Sequence, residues 1–531
     1  MSITRRDFLL TAGAAAAVAT VPRPLLVHFG RTPEPVPPIE DPRIKELAAK
    51  ALEAAVAAGA IYADVRLTHD WIRSIGPAGA GDGERITVGV RALFDGYWGF
   101  ASSPVWSPDE MARLGQQAVH QARVIALGKR REVELAPVSA VRDGRWVMPI
   151  KIDPFQIHPF EIQDTLRGLQ IFAGRTPGAR PGDVRCDLFK QEKAFGSTAG
   201  SYCTQCLYRT GGDFPISLIK DGKEGKGGLD TLSPAGVGWE LFTDQPLREQ
   251  IRRKLAEIEE ELKLPIKPVE VGRYDAVCDV ASVSNLLVGT LGRATELDRA
   301  LGYEANAGGT SYINAPLEML GTYQTGAPLL TVTANRAEPG GCATVQWDDE
   351  GVVPDEFKLV NEGILTDFQT TRESAGWLKG WYTQHGRPFR SHGCANSTSA
   401  DFAPLQHLPN MVIAPGKEAV DFDGLVSGLT DGIAIKGLTP DMDFQNLNGL
   451  GIGAVYEVKR GKRVARLSAA GILFRAPELW KGLQALGSAA SARRYGVESA
   501  KGEPGQSTFH SVTAVPAVFK QLTLIDYLRK A

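Results

Sequence analysis

From Pro42 the apolar positions recur at helical spacing (Ile44, Leu47, Ala51, Leu52, Ala55), and Gly59 stands where a C-cap belongs. The period then changes to two. Tyr62–Thr68 and Ile86–Phe94 alternate as strands, residues 76–83 form a turn-rich connection, and Asp95-Gly96 turns the chain into Tyr97–Ala101. Ser107-Pro108-Asp109-Glu110 has the capping-box arrangement with proline at the first helical position, which predicts a helix towards Leu127. Between Ala136 and Asp230 short strands and Pro/Gly turns surround one helix near Phe160–Ala173. Leu247–Leu262 is a charged helix with Leu255, Ile258 and Leu262 on one stripe, ended by Pro265 and Pro268. Farther on, short apolar runs separated by glycine turns predict hairpins, Phe357–Val360 with Ile364–Phe368 and Ala454–Val458 with Val464–Leu467. The expected class is α+β. An N-terminal α/β domain with helices on a mixed sheet occupies residues 41–265, and a mainly antiparallel β domain occupies residues 266–531.

The first thirty residues break this pattern. Arg5-Arg6 precede an uncharged, alanine-rich run from Phe8 to Val21, with Pro22 and Pro24 behind it and Ala17-Val18-Ala19 as a cleavage site. The segment looks like a twin-arginine export signal, with a buried N-terminal helix as the alternative. Residues 31–40 then read as a linker. The apolar run falls short of the roughly 20 residues that cross a bilayer, so the expectation is a soluble periplasmic or extracytoplasmic protein with no stable membrane span. At 531 residues the chain calls for two or three folded units, and 59 basic against 61 acidic residues give nucleic acid no electrostatic handle. Six cysteines are too few for disulfides to be the main source of stability. Cys203 and Cys206 lie at an odd spacing in a strand, which sends the thiols to opposite faces.

Three stretches then carry a resemblance. Tyr62-Ala63-Asp64-Val65-Arg66, Val88-Gly89-Val90-Arg91 and Asp95-Gly96-Tyr97-Trp98-Gly99-Phe100-Ala101-Ser102 form the first, and Phe195-Gly196-Ser197-Thr198-Ala199-Gly200-Ser201-Tyr202 with Gln205 the second. Asp348-Asp349-Glu350-Gly351, followed by Leu359-Val360-Asn361-Glu362-Gly363-Ile364-Leu365, is the third. In this order they resemble the TldD/PmbA metallopeptidase family over residues 41–510. The resemblance implies zinc held by a helical His-Glu-x-x-x-His motif and a cysteine near the C-terminus, with the glutamate as general base. Ligands five apart on an α-helix point about 140° apart, so the helix must deform for them to converge.

With Leu286-Leu287 before the motif and Glu296 and Asp298 after it setting the register, the motif positions read Val288-Gly289-Thr290-Leu291-Gly292-Arg293. Val288 and Arg293 replace the histidines, Gly289 the base, and Ser499 the cysteine. Valine and glycine offer no lone pair and arginine stays protonated, so no metal site and no cofactor are expected, unless a paired subunit supplies zinc. The eight histidines show no three- or four-residue spacing, and His385, His392 and Cys394 are the nearest to a cluster. Arg387 and His392 are candidates for binding a peptide or carboxylate, with packing as the plainer reading. Asp348-Asp349-Glu350 read as a solvated turn or a general acid–base pair, and Glu296 joins them as a cleft candidate. Tyr97, Trp98 and Phe100 read as sheet packing rather than a ligand platform. The resemblance implies a non-catalytic subunit that pairs with a zinc-bearing relative on unfolded peptides. An active peptidase or other hydrolase with a rebuilt site, and a stand-alone exported peptide-binding protein, are the alternatives.

Overall fold

The first helix, α1 (Pro42–Ala57), starts where the Asp41 side chain accepts from Arg43 N and stops at Gly59, whose φ of 101° ends the helical turn. The computed structural model describes residues 36–128 and 132–528, and from Ile39 onward the chain is one contact-connected unit. The export signal lies outside the described residues. Strands β1 (Tyr62–Gly76) and β2 (Gly79–Phe94) form a long hairpin in which Gly76 pairs with Gly79. Residues 79–83, expected in a connection, are therefore strand. The glycines there stay extended because each has a partner on β1 to complete the ladder.

Asp95 and Gly96, at φ 50° and 78°, make the tight turn into β3 (Tyr97–Ser103). Helix α2 (Pro108–Ala126) opens on the Ser107 hydroxyl, which accepts from Glu110 N. After β4 (Gly144–Val147) and α3 (Pro159–Gly174) come β5 (Arg185–Ser197) and β6 (Tyr202–Asp213), two long strands where short ones were expected. The sheet order is β3-β2-β1-β5-β6-β4, antiparallel except for β4 on β6, so the sheet is mixed as predicted. Apolar side chains of α1 and α2 pack on one face through Ile44, Ala51, Leu114 and Ala118 against Val65, Leu67, Val88 and Val90. Cys203 and Cys206 enter different clusters, one with Phe195 and Trp347 and the other with Met148 and Tyr208. All six thiols are free. Helix α4 (Leu247–Leu262) matches its expected bounds.

Beyond α4 the chain is mainly antiparallel β. Strand β7 (Gly272–Cys278) leads into helix α5 (Val280–Leu287), capped by the Asp279 carboxylate on Ser282 N at 2.8 Å. Strands β8 (Val332–Asn335), β9 (Glu356–Asn361), β10 (Ile364–Leu365) and β11 (Met411–Ile413) follow. Next come β12 (Asp431–Met442), β13 (Asn448–Lys459), β14 (Lys462–Ser468) and β15 (Ala470–Arg475). The last three are β16 (Arg493–Lys501), β17 (Gln506–Ala514) and β18 (Ala517–Asp526). Strands β7, β12, β13, β15 and β18 close into a ring, with β7 and β12 parallel and the other pairs antiparallel. A second sheet runs β10-β9-β8-β11-β17-β16. The largest apolar core lies between them, and Leu286, Leu287 and Leu291 sit in it with Ile433, Ile435, Val332 and Val512.

The N-terminal layer depends on close approach at Gly99, where an added Cβ would lie 1.9 Å from Ala118 O of α2. Gly99→Val is expected to lower the unfolding free energy by about 1–3 kcal/mol through overpacking. Urea denaturation measures this, and an unchanged midpoint would contradict the packing described.

Candidate functional site

The segment that carries the motif positions starts as α5 and then widens. Residues 288–292 form a π-helical turn, in which i→i+5 bonding brings residues five apart towards one face. The widened turn leaves carbonyls that need donors, and side chains supply them. Asn446 Nδ2 donates to Gly289 O at 3.1 Å, and Gln369 Nε2 donates to Gly292 O at 2.6 Å. Thr290 donates its hydroxyl to Leu286 O and accepts from Trp480 Nε1 at 2.8 Å. The helical deformation expected for a His-Glu-x-x-x-His motif is thus present without its histidines.

The residues at the motif positions do not fit zinc. Val288 is buried in the apolar core with Leu287 and Leu291. A Cβ on Gly289 would meet Pro440 Cγ at 2.9 Å, so the base position has no room for a glutamate as the chain stands. Arg293 donates from Nη1 to Ala500 O at 3.1 Å. Ser499 is buried on β16, and its hydroxyl has no hydrogen-bond partner among the described residues. Nor is any group of three or more His, Cys, Asp or Glu among the described residues placed to hold a metal ion.

Around Arg293 lies a set of buried polar groups. Glu296 pairs with Arg299 Nε at 3.0 Å and Lys501 Nζ at 3.3 Å, and Lys501 also reaches Asp298 at 2.7 Å. Burial pushes the Glu296 carboxyl up, but Lys501, Arg299 and Arg293 outweigh it and hold the group well below the usual carboxylate range. Glu296 is therefore a committed internal anion, not a free carboxylate on a cleft. His407 and His510 are fully buried nearby, and burial, with Arg293 adding to it, pushes both imidazoles down to about 3. Both rings are neutral. Sequence spacing missed these two histidines because they come together across strands. The available signal was the alternation on β17, which puts Thr508 and His510 on the face that Ser499 shares.

The other cleft candidates are taken up by internal partners. Asp348, Asp349 and Glu350 are 1%, 1% and 2% exposed, which corrects the expectation of a solvated turn. Asp349 receives Lys193 Nζ at 2.6 Å and Ser397 Oγ at 2.5 Å, with Arg66 Nη1 at 3.4 Å. Glu350 pairs with Arg91 at 3.1 Å and accepts Arg372 N at 2.6 Å, while Arg91 also binds Asp64 at 2.7 Å and stacks on Trp98. Asp348 accepts from Glu350 N, Val352 N and Ala395 N. Burial and the Glu350 charge push its carboxyl up. The physical reason is long-range: strands β1, β2 and β5 present Arg66, Arg91 and Lys193 to this row.

His392, 4% exposed, lies between Asp355 at 2.8 Å and Asp367 at 3.1 Å and stacks on Phe357. Arg387 pairs with Asp367 and donates to Thr366 O. These two residues already hold carboxylates of the chain itself, which accords with the plainer packing reading. His385 bonds Trp381 O, and Cys394 is a buried thiol pushed up to about 12, so the three do not form a metal cluster.

The fold is α+β, and its π-helical segment carries Val288, Gly289 and Arg293 at the motif positions, whose side chains offer no lone pair. Residues 271–523 match the model of the PmbA/TldA metallopeptidase C-terminal domain, and residues 77–122 match that of the PmbA/TldA metallopeptidase domain 1. The chain belongs to the TldD/PmbA family. Residues 2–22 match the twin-arginine translocation pathway signal sequence. A metalloprotease of Methanocaldococcus jannaschii is 24% identical over 392 residues, covering 71% of this chain and 78% of the relative. One of Synechocystis is 24% identical over 395 residues, covering 71% and 76%. Among solved structures, a candidate modulator of DNA gyrase from Thermotoga maritima superposes with TM-score 0.67 at 15% identity, covering 91% of this chain and 100% of that one. TldE from Thermococcus kodakarensis gives 0.64 at 12%, covering 91% and 99%. Both share the fold. No helix among the described residues is long and apolar enough to cross a membrane.

Two predictions follow from the buried charges. Asp349→Ala strands Arg66 and Lys193 without their anion and is expected to cost about 3–5 kcal/mol; a denaturation midpoint within error of the parent would refute the network. His392 is raised from 6.5 to about 9 because its two carboxylates outweigh burial. Its folded value lies above the unfolded one, so its contribution, about 3 kcal/mol, is complete below pH 6.5 and lost as pH rises through about 9. The stability gap between the parent and His392→Gln is expected to shrink between pH 6 and pH 10. Equal gaps at both ends would remove the assignment.

Proposed function

We propose that this chain is an exported, non-catalytic member of its family that pairs with a zinc-bearing relative and helps hold unfolded peptides for cleavage by that partner. What carries the reading is the motif itself. The π-helical turn is kept while each chemical position is lost: Val288 is packed in the core, Gly289 has no room for a side chain, Arg293 is a cation, and Ser499 stands for the thiolate. A general base and a metal-bound water are the two things a zinc peptidase needs, and these positions offer neither. The twin-arginine signal fits the same reading, because that route carries folded proteins and admits an assembled pair.

The test is reconstitution. Purified without chelators, the isolated chain is expected to carry no stoichiometric zinc and to leave an unfolded peptide intact. Co-expressed with a family member that retains His-Glu-x-x-x-His, it is expected to co-purify with it and to enhance cleavage that a chelator stops. One zinc per isolated chain with chelator-sensitive cleavage, or no association with any motif-bearing relative of the same organism, would overturn the reading.

A further inference from the structure

Polar atoms without hydrogen-bond partners gather beside Arg293, and one face of a hairpin accounts for most of them. Strands β16 and β17 pair with Ser499 opposite Thr508, Lys501 opposite Gln506 and Val497 opposite His510. Opposed residues share a face and alternate residues return to it, so Lys501, Ser499, Gln506, Thr508 and His510 project to one side. All five are buried, whereas the intervening Glu498, Ala500 and Ser507 are exposed. His407 joins the same face, its Nδ1 lying 2.9 Å from Thr508 Oγ1. Arg293 reaches the hairpin from the helical side, and its charge bears on both imidazoles.

Among the described residues, Ser499 Oγ, His407 Nε2 and both ring nitrogens of His510 have no hydrogen-bond partner. Arg293 makes no ion pair there, while its basic neighbours Arg299 and Lys501 are committed to Glu296 and Asp298. A buried polar atom left in this state is destabilising unless something satisfies it. A serine hydroxyl and a guanidinium edge can donate, His407 can donate from Nε2 when its Nδ1 accepts from Thr508 Oγ1, and His510 can donate from one of its two ring nitrogens. Donors gathered beside a guanidinium that feels the Glu296 charge but makes no direct ion pair among the described residues suit an anionic acceptor with two oxygens.

We propose that the position of the missing metal binds a carboxylate, with Arg293 supplying the charge and Ser499, His407 and His510 hydrogen bonds to a peptide carboxylate. The proposal rests on the peptide-handling reading above and adds the group that is recognised. Arg293 is the partly exposed member of the set, so the ligand enters past its side chain.

The experiment uses the purified chain alone, with no zinc and no partner, and three fluorescent hexapeptides of alanine, glycine and serine. One ends in a free carboxylate, one is amidated, and one is amidated with an internal glutamate. Polarisation is expected to show the free-carboxylate probe or the glutamate probe binding at least tenfold tighter than the plain amide. Which of the two binds distinguishes a chain terminus from an acidic side chain, and either supports the proposal. Arg293→Gln should weaken that probe roughly tenfold to a hundredfold and abolish the preference over the amide. Arg293→Lys, which keeps the charge, should retain part of it, and Ser499→Ala should weaken it by a smaller factor, with thermal melts verifying that each variant is folded. Equal affinity for all three probes, no binding of any, or a preference unchanged in folded Arg293→Gln and Arg293→Lys would overturn the proposal. Association with a zinc-bearing relative is read separately, so either idea can fail without the other.

Discussion

Three consecutive carboxylates in the interior, Asp348, Asp349 and Glu350, constrain this molecule more than any other feature. Their counter-charges, Arg66, Arg91 and Lys193, sit on three strands of the N-terminal sheet more than 150 residues away in sequence. Removing one partner from such an arrangement strands a buried charge at a cost of several kcal/mol. The sheet face therefore meets the 348–350 segment in one register. Backbone groups extend the same grip, with Arg372 N on Glu350 and Phe402 O on Arg66. What looks in one dimension like an acidic loop for chemistry is the clamp that fixes the N-terminal layer on the β-rich body.

The second constraint is the π-helical turn at residues 288–292. A π-helical turn is costly in carbonyls that lose their usual donors, and here Asn446 and Gln369 come from distant segments to supply them, while Trp480 fixes the Thr290 hydroxyl that donates to Leu286 O. Valine in the core, glycine against Pro440 and an arginine reaching for Ala500 O leave no set of lone pairs for a dication. The same region gathers the unpartnered polar atoms of Ser499, His407 and His510.

The hairpin at Asp95-Gly96, the capped helix from Pro108 and the bounds of the helix Leu247–Leu262 were legible because each depends on residues within a few positions of one another. That Val288, Gly289 and Arg293 offer no side-chain lone pair was equally legible, since it is a property of the residue types and not of the fold. Residues 79–83 were misread because five residues rich in glycine have no local preference for a strand, and only pairing with β1 extends them. His407 and His510 were passed over for the same kind of reason: spacing along the chain does not register a meeting across two strands.

By itself, then, the sequence determined the elements with local causes, the α+β class and the export signal. Tertiary structure alone decided the fate of the charges. Whether Asp349 is a solvated turn residue or a buried anion, whether His392 faces a ligand or two carboxylates of its own chain, and whether Ser499 and His510 stand together are questions of which distant groups share a low-dielectric interior. Burial and charge pairing act through space between residues hundreds of positions apart, and no local pattern encodes them.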